Sequence, residues 1–172
     1  QPDRPAGRGK KLTPPPVKVF ARDHGLPCLQ PEKIRRDEQV LEALKQAEPE
    51  VNVVVAYGQI IPASIIYLPP FKTLNVHFSL LPKYRGAAPV HWAILNGDRK
   101  TGVTIMELNE KMDEGPLLAQ REVEILPGET ARELEIRLSY LGAQVLIETL
   151  ARINEVERVE QNPELATYAP RL

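Results

Sequence analysis

Cysteine is almost absent from this chain. The single thiol, Cys28, can form no internal disulfide and has no neighbour at metal-ligand spacing, which fits a reducing compartment and a buried structural role. No apolar run approaches the ~20 residues that a membrane helix needs, and no signal-peptide pattern opens the sequence, so a soluble protein is expected. Neither sign of charge is in excess: 22 Lys and Arg against 23 Asp and Glu leave a net charge of -1. That balance excludes a whole-molecule pull towards nucleic acid or lipid, so any such contact must come from a local patch. Internal repeats are also lacking.

What is present is enough for one domain with a substantial core, since the chain has 172 residues and 42% of them are apolar. It starts without methionine, so the natural product is expected to begin elsewhere and any targeting signal would lie outside the sequence. Residues 1 to 16 hold five prolines, two glycines and the basic residues Arg4, Arg8, Lys10 and Lys11, a composition that predicts an exposed basic loop.

Beyond it, Pro16 and Gly25 frame a short helix, Leu26 to Gln30 reads as a strand, and Glu32 to Ala47 carries apolar residues at helical spacing. Val51 to Ala56 is almost wholly apolar and β-branched, as in a central strand covered on both faces. Pro62 to Leu68 reads as a short helix, Thr73 to His77 as a strand, and Pro89 to Asn96 as a helix closed by Gly97. Thr101 to Leu108 and Leu117 to Ile125 read as strands. Thr130 and Glu133 form a capping box ahead of a helix of about six turns running to Ile153. Strands alternating with helices predict an α/β protein with a largely parallel sheet and a ligand site at strand C-terminal ends.

The chemistry-bearing stretch is Asn75-Val76-His77. Side chains two apart on a strand share a face, so an amide and an imidazole aim at one small volume. Met112-Asp113-Glu114-Gly115 follows the next strand and could return a carboxylate to that imidazole. Alone, an Asn-x-His pair is more often structural than catalytic. Followed by Ser79-Leu80-Leu81-Pro82 and Arg85-Gly86-Ala87-Ala88-Pro89, and joined by Asp113, it reads as a site for carbonyl chemistry. Cut off from those motifs, Arg85 would be a solvated charge. Glu107, Glu110, Lys111 and Glu114 are expected to be solvated. His24 near a helix end and His91 beside Trp92 carry no partner signal.

These motifs, with Gly102-Val103-Thr104 and Gly115, resemble the folate-dependent formyltransferase family. The basic opening segment, Ala56-Tyr57-Gly58 and Thr167-Tyr168-Ala169-Pro170 resemble the branch of that family that acts on methionyl-tRNA. The resemblance implies a Rossmann-like, doubly wound sheet with helices on both faces, and transfer of a formyl group from 10-formyltetrahydrofolate to the amino group of methionine on initiator tRNA. It implies Asn75, His77 and Asp113 as the catalytic trio. Ser79, Leu80, Leu81 and Pro82 would contact the folate co-substrate, and Gln59, Ile60 and Ile61 would form another wall of its pocket. Arg8, Lys10 and Lys11 would contact tRNA.

Against that family the sequence would lack a first strand and helix before Gln1 and a barrel domain after Leu172, and Phe78 stands where a small residue is common. A cytoplasmic monomer is expected, or an organellar one if a targeting segment precedes Gln1.

Attack of an amine on the formyl carbon builds negative charge on the formyl oxygen, and Asn75 with a protonated His77 would donate to it. Asp113 would pair with the charged ring and relay protons through water. Neither a metal nor a covalent enzyme intermediate is required, because the amine is itself the nucleophile. The alternatives are formylation of a sugar nucleotide, whose enzymes share the NVH and SLLP region but lack the basic loop, and a non-catalytic fragment that binds folate or tRNA.

Overall fold

A computed structural model describes residues 1–7 and 9–172. The chain forms two compact units, residues 1–48 with 59–62, and residues 49–58 with 63–172.

In the first unit the expected loop contains a ribbon of two antiparallel strands, β1 (Arg4–Ala6) and β2 (Lys11–Thr13). Pro5 is tolerated there because a two-stranded ribbon leaves outward-facing backbone positions that need no donor. Helix α1 (Pro16–Asp23) begins at a proline, whose missing N–H falls where a helix leaves that group unpaired. Leu26 to Gln30 forms no strand: Pro27 lacks a donor, and Gln30 instead donates from its side chain to the Gln1 carbonyl and to Asp3.

The helix expected over 32–47 is split. Ile34–Arg36 is a 3₁₀ turn, and α2 (Glu38–Gln46) starts only after Asp37, whose carboxylate accepts from Val40 N at 3.1 Å. A capping aspartate with extended backbone resets the helix start, which a purely apolar periodicity does not register. Cys28 is exposed, not buried.

The second unit holds a four-stranded sheet in the order β3 (Asn52–Val55), β4 (Thr73–His77), β5 (Lys100–Glu107), β6 (Leu117–Glu124), with helices α3 (Ala63–Ile66), α4 (Pro89–Leu95) and α5 (Ala131–Leu150). The α/β class holds. Strands β3 and β4 pair parallel, and β5 and β6 join antiparallel. Strand β3 is an edge among the described strands, not the central strand its apolar run suggests, and Val53 and Val55 are 42% and 50% exposed.

Alternation sorts the sheet into two faces. Leu74 and Val76 of β4 and Val103 and Ile105 of β5 pack on Leu134, Leu138 and Val145 of α5 and Val90 of α4. Each such side chain contributes about 1.5–3 kcal/mol on burial. The capping box is formed, with Thr130 Oγ1 accepting from Glu133 N and Glu133 accepting from Thr130 N. The opposite face carries Asn75, His77, Thr104, Met106 and Gln120 in register. Helix α3 lies on that side, because Asn52 and Thr73 donate to its Ile65 carbonyl.

Glu107 is buried rather than solvated, held between Lys72 Nζ at 2.8 Å and Arg158 Nε at 2.9 Å. A carboxylate removed from water needs such partners.

Candidate active site

His77 ends β4, and Asn75 precedes it by one pleat on the same face. The Asn75 amide has no protein partner among the described residues, although it is half-buried, so its N–H groups are open to a ligand. The His77 ring is 6% exposed, and its Nε2 lies 2.8 Å from the Tyr84 carbonyl. A carbonyl only accepts, so Nε2 carries the hydrogen and Nδ1 is the nitrogen left for chemistry. Asp113 Oδ2 stands 3.8 Å from that Nδ1, within ion-pair range but beyond a hydrogen bond. The sequence expectation that the 112–115 loop returns a carboxylate to the imidazole thus matches the geometry.

Asp113 is held from two sides. Its Oδ2 accepts from Gly86 N at 2.8 Å, and its backbone carbonyl accepts from Gln161 Nε2 at 2.8 Å. Its φ of 52° is in the left-handed region, which costs a non-glycine residue on the order of 1–2 kcal/mol. Gly115 follows at a point where a Cβ would collide with the Glu107 carbonyl, so the loop can fold back on β5 only with glycine there.

The Tyr84–Pro89 loop supplies both partners of the pair, the Tyr84 carbonyl and the Gly86 amide. It is fastened by the C-terminal segment. Arg85 N donates to Thr167 O, Ala169 N to Arg85 O, Ala88 N to Ala169 O, and Tyr84 N to Thr167 Oγ1. Gly86 has φ 110°, and a Cβ there would lie 2.9 Å from Ala169 O, which explains the glycine in this loop. Arg85 itself is 3% exposed, with Nε and a guanidinium nitrogen on Gln161 Oε1 and the other on Glu114 at 3.3 Å. It is a buried tie, not a surface charge.

The Ser79–Pro82 segment is locked from below. Thr104 Oγ1 donates to Ser79 O at 2.6 Å and accepts from Leu81 N and Gln120 Nε2, and Gln120 also donates to Leu81 O. Ser79 donates to Lys83 O, and Ser79 and Leu81 are buried. Leu80 and Pro82 are the half-buried members, able to present apolar surface to a ligand.

Gln59, Ile60 and Ile61 belong to the first unit, where Gln59 accepts from Ile34 N at 2.9 Å and Ile60 is 75% exposed. Lys10 and Lys11 are exposed on the β1–β2 ribbon, whereas Arg8 lies outside the described residues. Sequence reasoning missed the roles of Thr104, Gln120 and Gln161. Thr104 had a signal in the Gly102-Val103-Thr104 motif, but nothing local marks the two glutamines, which act over long chain separations.

A family model described as formyl transferase matches residues 1–150. A methionyl-tRNA formyltransferase of Synechococcus sp. (strain JA-2-3B'a(2-13)) is 51% identical over 174 residues, which cover 100% of this chain and 54% of the relative. One from Geobacter metallireducens (strain ATCC 53774 / DSM 7210 / GS-15) is 48% identical, covering 100% of this chain and 56% of its own. The chain thus spans about half the length of the curated relatives it matches. Among solved structures, the sugar 3N-formyl transferase WlaRD, in the presence of dTDP and 5-N-formyl-THF, has a TM-score of 0.71 at 22% identity over 98% of this chain and 57% of that one. That likeness shows the shared Rossmann-like fold. With a family model over most of its length and half of its residues shared with full-chain relatives, this chain belongs to the formyl transferase family.

Proposed function

We propose that the protein carrying this chain transfers a formyl group from 10-formyltetrahydrofolate to the α-amino group of methionine on initiator tRNA. The observation that carries the reading is the convergence of an unpartnered Asn75 amide, a His77 ring with one committed nitrogen, and Asp113. Identity near half over the whole chain to methionyl-tRNA formyltransferases supports the acceptor.

The co-substrate supplies a formyl carbon on a nitrogen leaving group, so that one N–C bond forms, another breaks, and a proton passes from the attacking amine to the departing nitrogen. The donor set suits such a group. Asn75 donates to the formyl oxygen as charge develops on it, a contribution of on the order of 3 kcal/mol for a donor of this kind. Because Tyr84 holds Nε2, His77 takes up or gives a proton at Nδ1, and when charged it donates from that atom beside Asn75. Asp113, restrained by Gly86 N–H, faces Nδ1, where its carboxylate can exchange a proton with the ring through water. Leu80 and Pro82 line the folate side, and Ser79 and Leu81 act by shaping the loop. Lys10 and Lys11 offer phosphate contacts that are salt-sensitive and blind to sequence, with Arg8 proposed to join them. We assign the protein to the cytoplasm as a monomer. No helix among the described residues is long and apolar enough to cross a membrane.

The test is formyl transfer by the full-length protein from 10-formyltetrahydrofolate, with methionyl-tRNA and an amino-sugar nucleotide as competing acceptors. Transfer to methionyl-tRNA is expected. Transfer to the sugar alone would replace the acceptor, and transfer to neither would overturn the reading.

A further inference from the structure

The structure assigns a positioning role to Gln161, which holds Asp113 against His77 and couples that carboxylate to the Arg85 loop. The inference rests on the trio being the reaction centre proposed above. Gln161 lies 48 positions beyond Asp113, in the segment after α5. Both ends of its amide are used. Nε2 donates to the carbonyls of Asp113 and Gly115, each at 2.8 Å, and Oε1 accepts from Arg85 Nε at 3.1 Å and from a terminal guanidinium nitrogen at 2.9 Å.

The need for such a tie follows from the backbone. Asp113 is held at a positive φ, a conformation that relaxes unless neighbouring structure fixes it. Gln161 grips the carbonyls on both sides of Glu114, while Gly86 N–H grips the Asp113 carboxylate. Arg85 completes a closed frame by meeting Gln161 with one edge and Glu114 with another nitrogen. The loop that frame anchors bears the Tyr84 carbonyl on His77 Nε2 and the Gly86 amide on Asp113. Gln161 thereby sets the relative position of both partners of the imidazole.

Only an amide meets these demands, with two N–H donors at one end and an acceptor for two guanidinium bonds at the other. Glutamate would keep the Arg85 bonds but turn lone pairs towards two carbonyls. Asparagine keeps the chemistry but is one methylene too short to reach both sides.

The experiment compares Gln161→Glu and Gln161→Asn in the full-length protein, each also in an Asp113→Asn background. We expect kcat to fall at least tenfold in each single variant with KM for 10-formyltetrahydrofolate within twofold, and less than twofold further loss when Asp113 is already changed, because residues acting through one another are not additive. Amide exchange supplies a readout independent of turnover: the Gly86 N–H should exchange at least tenfold faster in both variants while Val103 in β5 is unchanged. Undiminished kcat, equal losses in both backgrounds, or an unaltered Gly86 exchange rate would each overturn the assignment. A wild-type protein that formylates no amine would instead defeat the functional reading, and the Gly86 exchange would still decide whether Gln161 holds Asp113.

Discussion

Replacing Thr104 by valine removes one oxygen and almost no volume, so its consequences can be worked from hydrogen bonds alone. The hydroxyl is fully buried and serves three groups: Ser79 O, Leu81 N and Gln120 Nε2. Gln120 keeps its bond to Leu81 O at 2.8 Å, so it loses only one of two contacts. Ser79 O and Leu81 N have no second partner among the described residues. Leaving a buried polar group unsatisfied costs about 1–3 kcal/mol, so two give a loss of about 2–6 kcal/mol. For a chain of this size that is a fall in Tm of roughly 4–24 °C.

The functional consequence is specific, because the freed segment is Ser79–Pro82. KM for 10-formyltetrahydrofolate should rise at least fivefold in Thr104→Val, with less effect on KM for methionyl-tRNA. Thr104→Ser keeps the hydroxyl and should keep the folate KM within twofold. Urea titration or calorimetry reads the stability, and initial rates at varied folate read the loop. A Thr104→Val protein with unchanged stability and unchanged folate KM would refute the claim that this hydroxyl holds the segment.

His77→Ala and Asp113→Asn should each lower turnover at least about a hundredfold while leaving the far-ultraviolet circular dichroism intact, since both belong to the proposed reaction centre; unchanged rates would remove them from the mechanism. Lys10→Ala with Lys11→Ala should weaken use of methionyl-tRNA and flatten the salt dependence of its KM by roughly 0.7–0.9 in log–log slope per lost phosphate contact, leaving the folate KM alone. Arg137 hydrogen-bonds Glu129 and, with the Leu126 amide, holds that carboxyl below its ordinary range. A lowered folded-state pKa means this contribution is complete above the ordinary carboxylate range and is lost as pH falls through the folded-state value. Arg137 also donates to the Glu124 carbonyl, a bond that does not titrate, so Arg137→Gln should cost about 1 kcal/mol more at neutral pH than in acid, seen as stability curves that draw together below the carboxylate range.

Legibility in the sequence followed the reach of the interactions. The capping box at Thr130, the strand over 73–77 and the helix opening at Pro89 are local: period, cap and proline chemistry act within a few residues, and each element formed where those signals placed it. The helix over 32–47 broke at Asp37 because a cap competed with apolar periodicity. Cys28 and Glu107 show the other limit. Whether a thiol is covered, or a carboxylate is met by Lys72 and Arg158, depends on chain segments that no window around it contains.

The same division runs through the site. Asn75 and His77 were bound to share a face because a strand alternates, and the match of their motifs pointed to Asp113 and to the family. That Asp113 stands 3.8 Å from Nδ1, that Tyr84 occupies Nε2, and that Gln161, Thr104 and Gln120 hold the surrounding loops were decided only by tertiary packing. Local chemistry can specify which side chains leave a strand on one side, whereas the distance and tautomer on which the proposed proton transfer depends are set by backbone groups brought together from distant parts of the chain.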